Sequence, residues 1–128
     1  MSALQRDFAT VTEISGEKVT TAQIDRMTQR YYWAGEYCRG KDVLEVACGS
    51  GQGLGFLASI ARTVRGGDIT PALVSQAAAH YGERVPVTLM DAEHLPYESA
   101  SLDVVIVFEA IYYMTSAERM VDEARRVL

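Results

Sequence analysis

A short apolar run that stops at a cluster of glycines is the feature that most constrains the fold of this chain. The run VLEVAC covers Val43–Cys48, and four glycines follow within residues 49–55. An apolar run of this length, bounded by glycines, is typical of a buried strand. Glycines allow a tight turn with the backbone close to a ligand, and the N–H groups of a following helix attract an anionic group. The segment therefore predicts a strand, a turn and a helix with a ligand at the turn.

Strand-like and helix-like segments alternate along the rest of the chain. Helices are predicted at about Thr21–Arg39, Gly53–Val64, Thr70–Tyr81 and from Thr115 to Leu128, and further strands at Val64–Ile69, Val85–Met90 and Leu102–Phe108. Three helix starts carry capping signals: Thr20 with Gln23, Thr70 before Pro71, and Thr115 with Glu118. Strands separated by helices indicate an α/β fold with a mostly parallel sheet and helices on its faces.

Composition narrows the classes of protein. A chain of 128 residues with 48% hydrophobic and 23% charged residues suits one domain over 1–128, with residues 1–19 as a loose lead-in. With a formal net charge of −5, the chain lacks the excess of basic residues that is typical of a protein that binds nucleic acid. No apolar run approaches the ~18 residues of a membrane span, and no secretory signal is present. Cys38 and Cys48 make neither a disulfide framework nor a zinc cluster, so we expect a cytoplasmic chain without a metal.

The spacing of the glycines bears on the ligand. In a parallel α/β sheet, ligands bind beyond the carboxyl ends of the strands. A dinucleotide site needs G-x-G-x-x-G or A directly after the first strand. The frames that start at Gly49 and Gly51 meet Leu54 and Phe56 at the last position, and the frame that fits starts four residues late, at Gly53. A dinucleotide-dependent oxidoreductase is therefore the weaker interpretation.

An acid four residues before the first glycine points to another ligand. Glu45 and Gly49 form the pattern E-x-x-x-G-x-G, and VLEVACGSGQG resembles the first motif of class I S-adenosylmethionine-dependent methyltransferases. Three further stretches resemble the next strands and helix of that family in order: RGGDIT at 65–70, VTLMDAEHLPYESASLDVVIVFEAIYYM at 87–114, and ERMVDEARRVL at 118–128. The resemblance extends over about Gln29–Leu128. It implies a Rossmann-like three-layer sandwich, S-adenosyl-L-methionine as cofactor, and methyl transfer to an O, N or C atom of a small-molecule acceptor.

The resemblance gives the first strand end its roles. The backbone of Gly49, Ser50 and Gly51, with Ala47 in the same turn, would approach the methionine part of the cofactor. Glu45 would organise that turn through water or the ligand's amino group. Placed inside an apolar strand, this carboxyl needs a partner in any case.

The other strand ends are assigned in the same way. Asp68 would accept hydrogen bonds from the ribose hydroxyls, with Ile69 beside the adenine. Asp91 would face the adenine amino group, and the N–H of Ala92 a ring nitrogen. Phe108 would offer its carbonyl to the methionine ammonium. From the residues alone, both aspartates suit either a ligand-facing edge or a solvated loop, because a buried carboxylate without partners is costly.

Tyr31 lies on the helix that in this family often caps the cofactor. The resemblance places its side chain near the cofactor's carboxylate, although a packed aromatic is the simpler interpretation of Tyr31 by itself. Cys48 is expected to be a packed residue rather than a nucleophile, since no base stands beside it in the sequence.

Methyl transfer from a sulfonium is in-line attack by a nucleophile, for which alignment and desolvation are the protein's main tasks. A general base helps when the acceptor is a hydroxyl. The weak candidates are Glu109, Tyr112 and Tyr113, with His94 expected in solvent before Pro96. Relatives often carry Glu-His where this chain has Tyr112-Tyr113, so the sequence assigns no base.

The sheet of this family normally has seven strands, and this sequence reaches the fourth strand and its helix. Leu102–Phe108 would then be an exposed apolar edge, which proteins normally cover or pair. A longer protein, a shortened chain, or strand exchange between copies in a homo-oligomer would each account for it. The functional alternative from another class is a module that binds S-adenosylmethionine without catalysis.

Overall fold

The computed structural model describes residues 20–128, and the expectations for residues 1–19 lie outside the described residues. Within residues 20–128, four strands form one parallel sheet: β1 (Asp42–Val46), β2 (Thr63–Asp68), β3 (Val87–Leu89) and β4 (Val104–Val107). Four helices accompany it: α1 (Thr21–Gly35), α2 (Leu54–Ala58), α3 (Pro71–Tyr81) and α4 (Ala117–Val127). A 3₁₀ turn covers Ile111–Tyr113. The α/β prediction with a parallel sheet is confirmed.

The order of the strands, β3-β2-β1-β4, determines where a ligand can bind. The chain builds outward from β1 through β2 to β3, and then crosses to the other side of β1 for β4. The strand order therefore reverses between β1 and β4, and such a reversal opens a crevice at the carboxyl ends of the two strands. Parallel α/β sheets bind their ligands in such a crevice.

Two apolar layers hold the sheet. Alternate residues of β1 point to opposite faces, so Val43 packs into one layer with Leu54 and Leu57 of α2. Leu44 packs into the other layer, with Val127 of α4. None of the helices in residues 20–128 combines the length and apolarity needed to cross a membrane.

The observed helices are shorter than predicted at two places. Helix α1 ends at Gly35 rather than Arg39, and turns fill residues 36–40. Helix α2 ends at Ala58 rather than Val64, because the chain must reverse before β2 begins. The N–H groups of residues 62 and 63 both donate to the carbonyl of Lys41, and this closes the reversal against the start of β1. Strands β3 and β4 are shorter than predicted at both ends, whereas β1 and β2 each begin one residue earlier than predicted and end before the predicted last residue.

The capping predictions for α1 and α3 have different outcomes. The Thr20 hydroxyl accepts from the N–H of Gln23 at 3.1 Å, and the Gln23 side chain accepts from the N–H of Thr20 at 2.7 Å, so the capping box is confirmed. Helix α3 begins at Pro71 as predicted, but the Thr70 hydroxyl makes no capping hydrogen bond. The N–H of Thr70 donates to Asp68 instead, which ties this residue to the end of β2.

The capping box predicted at Thr115 and Glu118 is wrong. Helix α4 is capped one residue later, where the Ser116 hydroxyl accepts from the N–H of Arg119 at 3.2 Å. The N–H of Thr115 donates instead to the carboxylate of Glu93, at 3.0 Å. This long-range contact turns Thr115 away from the helix start, and local spacing carries no sign of it.

Candidate functional site

A pocket of about 300 Å³ opens at the carboxyl ends of the strands, beneath α1. One side, here called the strand-end wall, consists of residues that end or follow β1, β2 and β3: Glu45, Ala47, Cys48, Gly49, Asp68, Ile69, Met90, Asp91 and Ala92. The other side, here called the rim, consists of residues of α1 and of the segment after β4: Arg26, Met27, Arg30, Glu109, Ala110, Tyr112, Tyr113 and Met114. Tyr31 and Phe108 lie between the two.

The pocket brings together most of the residues that the sequence singled out. Nine of the eleven predicted cofactor residues line it: Tyr31, Glu45, Ala47, Gly49, Asp68, Ile69, Asp91, Ala92 and Phe108. Ser50 and Gly51 are buried and do not line it. All three weak candidates for a base, Glu109, Tyr112 and Tyr113, lie on the rim. The side chain of His94 is 68% exposed and outside the pocket, as expected.

Glu45 is the most unusual group in the pocket. Its side chain is 1% exposed, and the Tyr31 hydroxyl donates to Oε2 at 2.5 Å. Its Oε1 atom is buried and has no hydrogen-bond partner within residues 20–128. Burial raises the pKa of this carboxyl to about 8, against the opposing effects of the Tyr31 hydrogen bond and the Arg30 charge. A cation that entered the pocket would favour the carboxylate and give Oε1 a partner.

Tyr31 reaches Glu45 because Gly53 leaves room for its ring. A Cβ atom at Gly53 would lie 1.9 Å from Cε1 of Tyr31, so only glycine permits this approach. The ring also packs edge-on against Phe108, with centroids 5.3 Å apart. Burial raises the pKa of Tyr31, so its hydroxyl stays protonated and acts as a donor. The hydroxyl donates to Glu45, whereas the family resemblance places it near the cofactor's carboxylate.

Asp68 joins the end of β2 to the glycine turn. Its Oδ2 accepts from the N–H of Gly49 at 2.9 Å, and its Oδ1 from the N–H of Thr70 at 3.0 Å. Burial raises the pKa of Asp68, while these N–H donors lower it. The Thr70 hydroxyl and the N–H of Ile69 also hydrogen-bond to this carboxylate, which lines the pocket. Asp68 thus holds the glycine turn and the start of α3 against the end of β2, a role that the sequence did not predict.

Asp91 is bonded more locally. Its Oδ1 accepts from the N–H of Glu93 at 2.9 Å, and Oδ2 lies 3.3 Å from Nδ1 of His94. The buried Glu93 in turn accepts from Thr115, which links the end of β3 to the start of α4. The sequence does not single out Glu93, because an acid in a polar loop carries no sign that it will be buried.

The glycine turn has left-handed backbone where the pocket requires it. Gly49 has φ +62° and Gly51 has φ +86°, a conformation that glycine adopts without steric cost. Ala47 has φ +55°, which is uncommon for a residue with a side chain. Cys48 beside it is buried, and burial raises the pKa of its thiol, so it is a packed residue as predicted.

The rim is held together by a small polar network. Nη1 of Arg30 lies 3.5 Å from Oε1 of Glu109, and the Tyr112 hydroxyl donates to Oε2 of Glu109 at 2.7 Å. The Arg30 guanidinium also lies over the ring of Phe108, 5.7 Å from its centroid. The sequence does not single out Arg26, Met27, Arg30 and Met114 as pocket residues, because local spacing does not show how α1 and the segment after β4 pack over the pocket.

The sequence pattern of the methyltransferase domain family matches residues 44–128 of this chain. A probable S-adenosylmethionine-dependent methyltransferase of Mycolicibacterium smegmatis is 40% identical over 91 residues, which cover 71% of this chain and 35% of that protein. The phthiotriol/phenolphthiotriol dimycocerosates methyltransferase of Mycobacterium leprae is 35% identical over 92 residues, with 70% and 34% covered. The chain thus spans about a third of the length of these curated relatives.

Solved structures share the fold. The 4+2 cyclase SpnF superposes with a TM-score of 0.74 at 26% identity, covering 91% of this chain and 45% of that one. Phosphoethanolamine N-methyltransferase 1 of Haemonchus contortus, solved with phosphoethanolamine and S-adenosylhomocysteine, gives a TM-score of 0.69 at 23% identity. The alignment covers 84% of this chain and 24% of that one.

Proposed function

This chain belongs to the S-adenosylmethionine-dependent methyltransferase family, and we propose that the whole protein moves a methyl group from S-adenosyl-L-methionine to a small-molecule acceptor. The observation that carries the proposal is the buried Glu45 in the pocket. Its Oε1 lacks a partner within the described residues, and an ammonium group would supply one. On this proposal residues 1–128 form one cofactor-binding domain.

The residues of the strand-end wall fit the cofactor. The methionine ammonium would pair with Glu45, and the carbonyl of Phe108 would supply a second acceptor. The Asp68 carboxylate lines the pocket and would accept from the ribose hydroxyls, and Ile69 would lie beside the adenine. The backbone of Gly49, which lines the pocket, would face the methionine part. In place of a direct contact with the cofactor's carboxylate, we assign Tyr31 the task of holding Glu45.

The residues that follow β3 would form the adenine end of the site. Asp91 lines the pocket with its side chain largely buried, and Ala92 follows it. We propose that Asp91 accepts from the adenine amino group and that the N–H of Ala92 donates to a ring nitrogen. The hydrogen bond from the N–H of Glu93 holds the Asp91 carboxylate in place for this contact.

Bound S-adenosylmethionine supplies a methyl group activated by a sulfonium. The chain itself has to align the acceptor, exclude water and, for a hydroxyl, remove a proton. We propose that Glu109 accepts the proton of the acceptor hydroxyl, because its carboxylate lies on the rim and is oriented by Arg30 and Tyr112. Tyr112 donates to Glu109, and this hydrogen bond raises the pKa of the phenol, so Tyr112 is a donor rather than a base.

The rim favours an acceptor with an apolar body and a hydroxyl. Met27, Tyr113 and Met114 provide apolar surface beside Glu109. The relative from Mycobacterium leprae is named for a triol, which supports hydroxyl chemistry in this chain too. The net charge of −5 disfavours nucleic acid as the acceptor. We further propose that the protein works in the cytoplasm and that the edge of β4 pairs with another strand, including one from a second copy.

Calorimetric titration with S-adenosylhomocysteine, run beside NADH, tests the cofactor. Binding that Asp68→Ala weakens at least tenfold, about 1.4 kcal/mol, would support the proposal. Asp122→Ala is the matched control, because Asp122 is an exposed acid on α4 outside the pocket, and it should leave the affinity unchanged. Binding of NADH alone would contradict the proposal, and so would the absence of any S-adenosylhomocysteine binding by the folded protein.

Binding of the cofactor without methyl transfer is the second candidate function. The similarity to SpnF favours keeping it, because that protein is a cyclase with the same fold. Incubation with radiolabelled S-adenosylmethionine and a panel of apolar alcohols separates the two. Transfer of label to an alcohol supports the methyltransferase, whereas tight binding without transfer to any acceptor type supports the alternative.

A further inference from the structure

A tyrosine outside the pocket connects Gly51, in the glycine turn, to Gly55, in the first turn of α2. Tyr81 is the last residue of α3 and does not line the pocket. Its hydroxyl donates to the carbonyl of Gly51 and accepts from the N–H of Gly55 at 3.1 Å. One hydroxyl therefore fixes both the turn that follows β1 and the first turn of α2.

The surrounding residues leave the Tyr81 ring little freedom. A Cβ atom at Gly51 would lie 2.9 Å from Cε2 of the ring, so glycine is needed for this contact. Gly82, with φ +58°, ends α3 directly after the tyrosine. The Arg84 guanidinium lies over the ring, 5.9 Å from its centroid, and its Nε donates to the carbonyl of Tyr81. The side chain is 8% exposed.

The glycine turn needs such a support because glycines lose more conformational freedom on ordering than other residues do. A turn that is ordered only when the ligand binds subtracts that cost from the affinity, whereas a turn ordered beforehand does not. Asp68 fixes the turn at Gly49, on the pocket side. Tyr81 fixes it at Gly51 and Gly55, and together the two side chains hold the segment at both ends.

We propose that Tyr81 is a positioning residue for the cofactor, one that acts through the backbone of residues 49–55 without touching the ligand. The inference rests on the proposed function of the pocket. Tyr81 belongs to the apolar core and does not line the pocket, so its hydroxyl would act on ligand binding from outside the site.

Tyr81→Phe tests this role, since it keeps the ring and removes the hydroxyl. We expect the dissociation constant for S-adenosylhomocysteine to rise at least fivefold, with the calorimetric stoichiometry unchanged. A residue that supports only the fold would lower the stoichiometry and the melting temperature, and leave the dissociation constant of the folded fraction as it was. An unchanged dissociation constant for Tyr81→Phe would therefore overturn the proposal.

Tyr97→Phe is the matched control. Tyr97 is also partly buried, bonds through its side chain to Thr88, and lies beside Arg65, away from the glycine turn. Its substitution should leave the dissociation constant within twofold. A loss equal to that of Tyr81→Phe would show a general effect of removing a tyrosine hydroxyl and would overturn the specific role.

Amide hydrogen exchange of the unsubstituted protein gives a test that needs no variant. If Tyr81 orders the turn beforehand, the Gly55 amide is protected without ligand, and S-adenosylhomocysteine adds little protection. Protection that appears only with ligand would overturn the proposal. Failure of the unsubstituted protein to bind S-adenosylhomocysteine would count against the proposed function instead, so the two failures are distinguishable.

Discussion

The two sides of the pocket are built in opposite ways. On the strand-end wall, the carboxyls of Glu45 and Asp68 are buried and bonded to a phenol or to backbone N–H groups. On the rim, Glu109 is 65% exposed and is bonded to other side chains, those of Arg30 and Tyr112. A buried, backbone-anchored wall suits one fixed ligand. A rim of exposed side chains can differ between relatives without disturbing the sheet.

Left-handed backbone marks the start of both sides. Ala47 follows β1 directly with φ +55°, and Glu109 follows β4 after one residue with φ +54°. Both residues carry a side chain, so each accepts some strain to turn the chain sharply at the sheet edge. The strand-end wall and the rim therefore both begin at a left-handed residue that follows a strand. The two sides differ in the side chains that come after it.

The largest effect should come from the rim, on turnover alone. General bases contribute about 10²–10⁴-fold to such reactions, so Glu109→Gln should lower the rate of transfer to a hydroxyl acceptor by about 100-fold. The affinity for S-adenosylhomocysteine should stay within twofold, because the strand-end wall is untouched. Single-turnover rates beside calorimetry measure both quantities. Equal losses of rate and affinity would contradict the division between the two sides.

The next effect tests the close approach of Tyr31 to the glycine turn. Gly53→Ala would place a Cβ atom inside the Tyr31 ring, displacing the ring from Glu45. Overpacking of this kind typically costs about 1–3 kcal/mol, and we expect a loss of that size in the free energy of unfolding, measured by urea denaturation. The affinity for S-adenosylhomocysteine should fall as well.

Gly55→Ala is the matched control for that change. Two residues further on, a Cβ atom would lie 3.5 Å from Tyr81, which is ordinary van der Waals contact. Alanine is also the better helix former there, in α2. Gly55→Ala should therefore be neutral or slightly stabilising. If both substitutions lower the free energy of unfolding by the same amount, the contact between residue 53 and the Tyr31 ring is not the cause of the loss.

The third prediction concerns pH and the strand-end wall. Glu45 has a pKa of about 8 in the folded protein, against an ordinary value of 4.5. The folded protein therefore keeps a proton that the unfolded chain releases, and this contribution to stability is lost as pH rises from about 4.5 to about 8. One proton corresponds to about 1.4 kcal/mol per pH unit.

Glu45→Gln removes that titration. Between pH 5 and pH 8 the free energy of unfolding should fall more steeply for the unsubstituted protein than for the variant, and above pH 8 the two curves should run parallel. Parallel curves over the whole range would show that Glu45 is ionised in the folded protein. Calorimetry in two buffers of different ionisation enthalpy should also detect proton release when S-adenosylhomocysteine binds, and no such release in Glu45→Gln.

The strand-end wall could be predicted from the sequence because its residues follow directly from the alternation of strands and helices. Once Val43–Cys48 and Leu102–Phe108 are interpreted as parallel strands, Gly49 and Phe108 must meet at one edge. Asp68 follows in the same way from its place at the end of β2.

The contacts that complete the site could not be predicted, because each joins residues distant in sequence. The bond from Tyr31 to Glu45 depends on how α1 crosses β1, and the Tyr81 hydroxyl depends on how α3 packs beside α2. The same reason explains the wrong cap at Thr115, where Glu93 competes from 22 residues away. Local spacing predicts elements, and packing decides which side chains they share.

The smallest effect should again lie on the rim. Tyr112→Phe removes the hydroxyl that donates to Glu109 and leaves the carboxylate and its contact with Arg30 in place. Tyr112 is exposed, so water can replace its hydrogen bond. We expect a fall of no more than about threefold in transfer rate, the scale of a weak exposed hydrogen bond, and no change in cofactor affinity.

Tyr113→Phe is the neighbouring comparison, and it should have a still smaller effect on the rate, because it leaves the hydrogen bond from Tyr112 to Glu109 in place. The pH profile of transfer separates orientation from proton transfer. If Tyr112 only orients Glu109, the profile keeps its shape and loses height. A profile that shifts by a full unit would instead show that the Tyr112 hydrogen bond sets the pKa of the group that takes the proton, and would contradict a purely orienting role.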